Sequence, residues 1–180
     1  QRLSCLTDTS SDRFKIYAID SDIPSAEEAA FNFRTSPWSG HLTALSCPLE
    51  NYAPEASFDL IFSNPPYFES SLKAPDLRRR SARHAGTMSY REILNFANRH
   101  LSPSGRLSLI LPAECERELL RNAGSVGLHP FRILYVGTVP GKSFSRIIAE
   151  FSRPGTVFPD FASSSLPGTV PEHFQKHLLE

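Results

Sequence analysis

The tetrapeptide Asn64-Pro65-Pro66-Tyr67 holds the residue types in this chain best suited to chemistry. Two consecutive prolines remove two backbone donors and fix two φ angles, so the carbonyls before them are left to accept from a ligand. An exocyclic amine on a base or an amide is a poor nucleophile, because its lone pair is delocalised into the π-system. If the Asn64 side-chain oxygen and the Pro65 carbonyl each accept one amine hydrogen, the nitrogen becomes more tetrahedral and its lone pair points outward. A methyl sulfonium held in line can then be attacked, which is catalysis by positioning and electrostatics. Tyr67 adds a flat face for a planar substrate. The plainer alternative is a strand that ends in a rigid proline turn.

Two further groups stand near this one in purpose. Asp20 closes the apolar run Lys15–Asp20, and a carboxylate at a strand end can accept both hydroxyls of a ribose. Its bland reading is a helix cap or turn residue. Arg78, Arg79, Arg80 and Arg83, with His84, follow the tetrapeptide closely. Four arginines within six residues beside a base pocket suit phosphate contact, although a solvated charge run is the usual meaning of such a cluster.

The elements that must position these groups alternate between short apolar runs and helical segments, the pattern of a parallel α/β sheet. Strands are expected at 15–20, 41–47, 58–63, 106–111, 131–136 and 145–151. Helices are expected at 24–35, with Pro24 in its first turn, Glu27 and Glu28 early and Phe31 inward, and at 90–101 and 114–123. Ser102-Pro103-Ser104-Gly105 should stop the second helix, and the last two strands should be antiparallel neighbours. The tail from Pro154 is rich in Pro, Ser and Gly and reads as irregular, apart from a turn of helix at 172–179. Ligands gather at the carboxyl ends of strands in such a sheet, where Asp20 and Asn64 both fall.

Acidic and basic residues balance at 19 each, so net charge names no partner. Cys5, Cys47 and Cys115 are odd in number and never paired as CxxC, which argues against a disulfide framework or zinc site and suits a reducing cytoplasm. No apolar run reaches the ~20 residues needed to span a bilayer, and the start lacks the design of a signal peptide. Three patterns mislead. Gly137–Ser143 resembles a phosphate-binding loop but is one residue short and leads into a strand. His173 and His177 have helical spacing without a further ligand. Cys115 opens a helix without a partner base.

Ile61–Phe68 resembles motif IV of amino-group methyltransferases, and Leu72–Asp76 with Ser81–His84 is similar to one branch of them: bacterial tRNA (adenine-N6)-methyltransferases acting beside the anticodon of a valine tRNA. The likeness runs from about Ile16 to about Phe151. It implies a Rossmann-like class I methyltransferase, α/β, with a mostly parallel sheet and an antiparallel final strand, spanning 1–153 and followed by a tail at 154–180. It implies S-adenosyl-L-methionine as cofactor, with Asp20 on the ribose, Ser21, Cys47 and Leu49 nearby, and Asn64 at the methyl end. Pro48 departs from the polar residue usual in the family. Asn64, Pro65, Pro66 and Tyr67 would engage adenine, and Arg78, Arg79, Arg80, Arg83 and His84 would meet tRNA. The same motif also serves glutamine amides of release factors and adenine in DNA. The family's glycine-rich first motif should precede Gln1, on a strand between those of Asp20 and Asn64, so the chain looks like a fragment; a non-catalytic RNA-binding module is the alternative of another class.

Overall fold

The computed structural model describes residues 14–65, 90–137 and 143–156. The chain divides into two compact units, Gln1–Ala53 and Pro54–Glu180.

In the first unit, β1 (Ile16–Asp20) and β2 (Leu42–Ser46) pair in parallel, with Ile16 opposite Leu42 and Asp20 opposite Ser46. Helix α1 (Ile23–Arg34) connects them. Its start is set by Asp22, whose carboxylate accepts from the Ser25 amide at 3.0 Å and the Ser25 hydroxyl at 2.7 Å. Pro24 follows in the first turn as expected, but Glu27 and Glu28 fall in the second. Thr35 closes the helix, its amide and hydroxyl both donating to the Phe31 carbonyl.

One expectation here is corrected. Phe31 does not point inward; it is 58% exposed. The less exposed positions are Ala26, Ala29, Ala30 and Phe33, an i, i+3, i+4, i+7 stripe. Five residues beyond Ala26, at ~100° each, Phe31 is turned well away from that stripe.

The second unit holds a four-stranded sheet in the order β3 (Phe58–Ser63), β4 (Leu101–Pro112), β6 (Arg146–Ser152), β5 (His129–Val136). The β3–β4 pair is parallel, and β6 runs antiparallel to both of its neighbours. Helices α2 (Tyr90–His100) and α3 (Glu116–Ser125) complete it, α3 being entered through a 3-10 turn at Ala113–Cys115. The core follows from alternation. Leu107, Leu109 and Leu111 stand opposite Phe151, Ala149 and Ile147 across β4 and β6, and all six are buried. Ile93, Leu94, Phe96 and Ala97 of α2, Leu119 and Ala123 of α3, and Leu128 add to that core. Asn122 donates to the Tyr90 hydroxyl at 2.8 Å, and Arg91 pairs with Glu118, fastening α2 to α3.

The expected stop at Ser102–Gly105 is the second correction. It ends α2, yet the strand begins at Leu101 and carries through it as a bulge. Phe58 pairs with Leu101 and Leu60 with Arg106, so four residues of β4 face one of β3. Gly105 is required there: a Cβ would lie 2.6 Å from the Phe58 carbonyl oxygen. Ser102 Oγ donates to Asp59 at 2.8 Å. Arg153 donates to the carbonyls of Leu101 at 2.6 Å, Ser102 at 3.0 Å and Asn98 at 2.6 Å, so one guanidinium ties the helix end to the bulge. Thr156 Oγ1 donates to the Pro103 carbonyl at 3.3 Å, which carries ordered backbone to residue 156. The rest of the expected tail and its helical turn lie outside the described residues.

Among the described residues, β1 pairs with β2 and β3 with β4.

Candidate active site

In the first unit the ends of β1 and β2 meet in register. The Cys47 amide donates to the Asp20 carbonyl at 2.9 Å, which extends the parallel ladder one step past Ser46. Asp20, Ser21, Cys47 and Leu49 therefore gather at the carboxyl end of one strand pair. Asp20 is exposed, and its Oδ1 accepts the Asp22 amide at 2.9 Å, an Asx turn that fixes the carboxylate. The cap of α1 is Asp22, not Asp20. The Ser25 hydroxyl, and then the Ser25 amide, hold the Asp22 carboxyl below its ordinary value. Cys47 is half-buried, with Sγ donating to the Pro48 carbonyl at 3.2 Å. Leu49 opens a 3-10 turn, Leu49–Asn51, and is half-buried.

In the second unit Asn64 and Pro65 follow β3 directly, at the end where Ser63 stands opposite Leu109. The Pro65 ring is fully buried and Asn64 beside it is exposed. A buried ring with a fixed φ anchors the turn, and the carboxamide stands at the surface immediately before it. Pro66, Tyr67, Arg78, Arg79, Arg80, Arg83 and His84 lie outside the described residues, as do Cys5, His173, His177 and the middle of the 137–143 loop. Cys115 is buried at the start of α3. Among the described residues no group of three His, Cys, Asp or Glu is placed to hold a metal. Among the described residues no helix is long and apolar enough to cross a membrane.

Sequence reasoning missed a third cluster. The Tyr135 hydroxyl donates to Glu116 Oε1 at 2.6 Å, and its ring lies 5.3 Å from that of Phe144. Acceptance by Glu116, reinforced by desolvation, pushes the Tyr135 phenol up to about 12. Nothing in local spacing signals a pair 19 residues apart; only the return of β6 beside β5 brings Phe144 to it. The strand order and register place the ends of β3, β4 and β5 with the start of β6.

No family model matches the chain. Over 140 residues it is 35% identical to a Bacteroides fragilis protein named tRNA1(Val) (adenine(37)-N6)-methyltransferase, covering 76% of this chain and 59% of that one. A Porphyromonas gingivalis protein of the same name is 37% identical over 142 residues, 76% of this chain and 56% of that one. Over the matched segment the chain is similar to these methyltransferases. The chain thus spans less than two thirds of the curated relatives' length. A methyltransferase structure from Pyrococcus furiosus superposes with a TM-score of 0.52 at 20% identity, over 84% of this chain and 68% of that one. That likeness bears on the fold, which is the Rossmann-like class I methyltransferase fold. Strand β3 lies where the resemblance read from Ile61–Phe68 expects it, with Asn64 and Pro65 directly after it.

Proposed function

We propose that the protein containing this chain transfers a methyl group from S-adenosyl-L-methionine to N6 of an adenine in tRNA, next to the anticodon. The observation that carries the reading is the end of β3, where Pro65 is buried and Asn64 exposed at the start of the sequence Asn-Pro-Pro-Tyr. The shared name of the relatives supports the choice of tRNA.

The residues present fit the cofactor. Asp20 offers an exposed carboxylate at a strand end, already oriented by the Asp22 amide, of the kind that accepts two ribose hydroxyls. Ser21, Cys47 and Leu49 stand at the same end and would flank the nucleoside. When bound, S-adenosyl-L-methionine supplies an electrophilic methyl group. Asn64 Oδ1 and the Pro65 carbonyl each accept one hydrogen of the adenine amine, which localises the nitrogen lone pair and turns it outward. Pro66 stiffens the turn and Tyr67 stacks on the base, which must leave its own stack to arrive. Arg78, Arg79, Arg80, Arg83 and His84 contact phosphate and position the RNA without reading its sequence. In this reading residues 1–153 form the methyltransferase part and the chain beyond it a tail, and the protein works in the cytoplasm with its substrate.

Asn64→Ala in the intact protein tests the reading. Methyl transfer to tRNA should fall by about 10²-fold or more in kcat, with cofactor affinity unchanged, because the side chain acts on the amine. Turnover near that of the wild type would remove Asn64 from the mechanism. Offered tRNA, duplex DNA and a glutamine peptide side by side, the wild-type protein should label the tRNA.

A further inference from the structure

We propose that Phe144 and Arg146 form a substrate-positioning platform, the ring stacking on a base that flanks the target adenine and the guanidinium meeting its phosphate. The inference rests on the RNA reading above and adds a surface to it.

Phe144 is 54% exposed although it is a large aromatic side chain. It is also firmly seated. Its ring packs against Tyr135, and Gly137 passes beneath it, a Cβ there lying 3.5 Å from Phe144 Cδ1. Tyr135 is itself fixed by its bond to Glu116. The backbone between Phe144 and Arg146 is pinned on both sides: the Ser145 amide donates to the Val136 carbonyl at 2.9 Å, and the Ser145 carbonyl accepts from the Ala113 amide at 3.2 Å. Arg146 is exposed, and its Nη1 donates to that same carbonyl at 3.1 Å. An aromatic ring held rigidly with an open face, beside an arginine, has the chemistry of a single-stranded nucleic-acid platform.

Its place agrees. Ser63 lies level with Leu109 and Ala149, two strand steps apart, while Arg146 lies three residues farther toward the carboxyl end of β3. With ~4.8 Å between strands and ~3.3 Å per residue, Asn64 and Arg146 are about 12 Å apart. Three to four stacked nucleotides at ~3.4 Å cover that span, and fewer do so in a splayed loop. The platform thus belongs to the nucleotides beside the target, not to the target itself.

The experiment uses the intact protein and an anticodon stem-loop RNA, reading KM and kcat for methyl transfer, RNA affinity and cofactor affinity. Phe144→Leu keeps apolar bulk and removes the π face, whereas Phe144→Trp keeps both. F144L should weaken RNA binding roughly 5- to 100-fold through KM, with cofactor affinity unchanged. F144W should restore it, and its indole fluorescence should be quenched on RNA binding. R146Q should flatten the log–log salt dependence of RNA binding by about 0.7. Wild-type KM in F144L, or an unchanged slope in R146Q, overturns the platform while leaving the methylation reading intact. Absence of methyl transfer to any RNA by the wild-type protein overturns that reading first, and the platform with it.

Discussion

The two compact units divide the labour unequally. The first carries Asp20, Ser21, Cys47 and Leu49, the residues assigned to the cofactor, on a two-stranded parallel sheet. Among its described residues Ala26 is the one buried apolar side chain. The second carries Asn64 and Pro65 on four strands and holds the rest of the buried apolar set. Parallel strands are stable when both faces are covered, and two strands alone are marginal. The residues proposed for the cofactor and the larger core thus lie in different parts of the chain, with Asn64 and Pro65 directly after β3 in the more buried part.

The sharpest test pits two phenylalanines against each other. Phe151→Ala empties a fully buried site opposite Leu107 and should cost about 3–5 kcal/mol. Phe31→Ala removes a ring already 58% exposed and should stay within about 0.5 kcal/mol. Denaturant unfolding followed by far-ultraviolet circular dichroism measures both; comparable losses would erase the contrast. Trp38, the single tryptophan, lies in the first unit and gives that unit its own fluorescence signal. Its transition should come at lower denaturant than the dichroism change.

Arg153 sharpens the comparison from within the second unit. Arg153→Ala strips the carbonyls of Asn98, Leu101 and Ser102 of their shared donor and should cost about 2 kcal/mol. Arg153→Lys should recover only part, since an ammonium lacks the fork. The dichroism midpoint should move; a shift confined to Trp38 fluorescence would place the clasp's effect in the wrong unit.

The smallest effects lie at opposite ends of the pH scale. The Asp22 carboxyl titrates below its ordinary 3.8 in the folded chain, so its contribution is present above that value and lost as pH falls through the folded one. Tyr135 titrates near 12 against an ordinary 10.0, so its contribution is full below pH 10 and lost as pH rises through about 12. Alkali should therefore disturb the dichroism before Trp38 fluorescence. Asp22→Ala and Tyr135→Phe should each flatten its own limb.

Much of this was legible because local pattern and tertiary role agreed. The strand Phe58–Ser63 runs to its turn as the apolar run suggests, and the sequence of strands and helices stands as read. The failures came where a distant neighbour decides. Ser102–Gly105 has the composition of a stop, but pairing with Phe58 and the Arg153 clasp recruit it into β4. Phe31 looked like core because aromatic residues usually are, while the alanine stripe in fact sets the helix face. Tyr135, Phe144 and Glu116 converge only through the order of strands. Asn64 and Pro65 are proposed for the site on their own chemistry, whereas the helix cap Asp22 was signalled by Pro24 and Ser25 and passed over for Asp20.

The order β3-β4-β6-β5 has a consequence for the birth of the protein on the ribosome. Strand β5 is synthesised before β6, its one strand partner among the described residues, so it stays without a ladder until residues 146–152 emerge. One side of β4 waits with it, and the Arg153 side chain that fastens α2 to the bulge arrives only after β6. The nascent chain therefore passes through a stage with two sticky strand edges and no core layer between them. A translational pause just before Arg146 would lengthen that exposure and make the growing polypeptide a client for holding chaperones, whereas the same pause after Arg153 would be harmless.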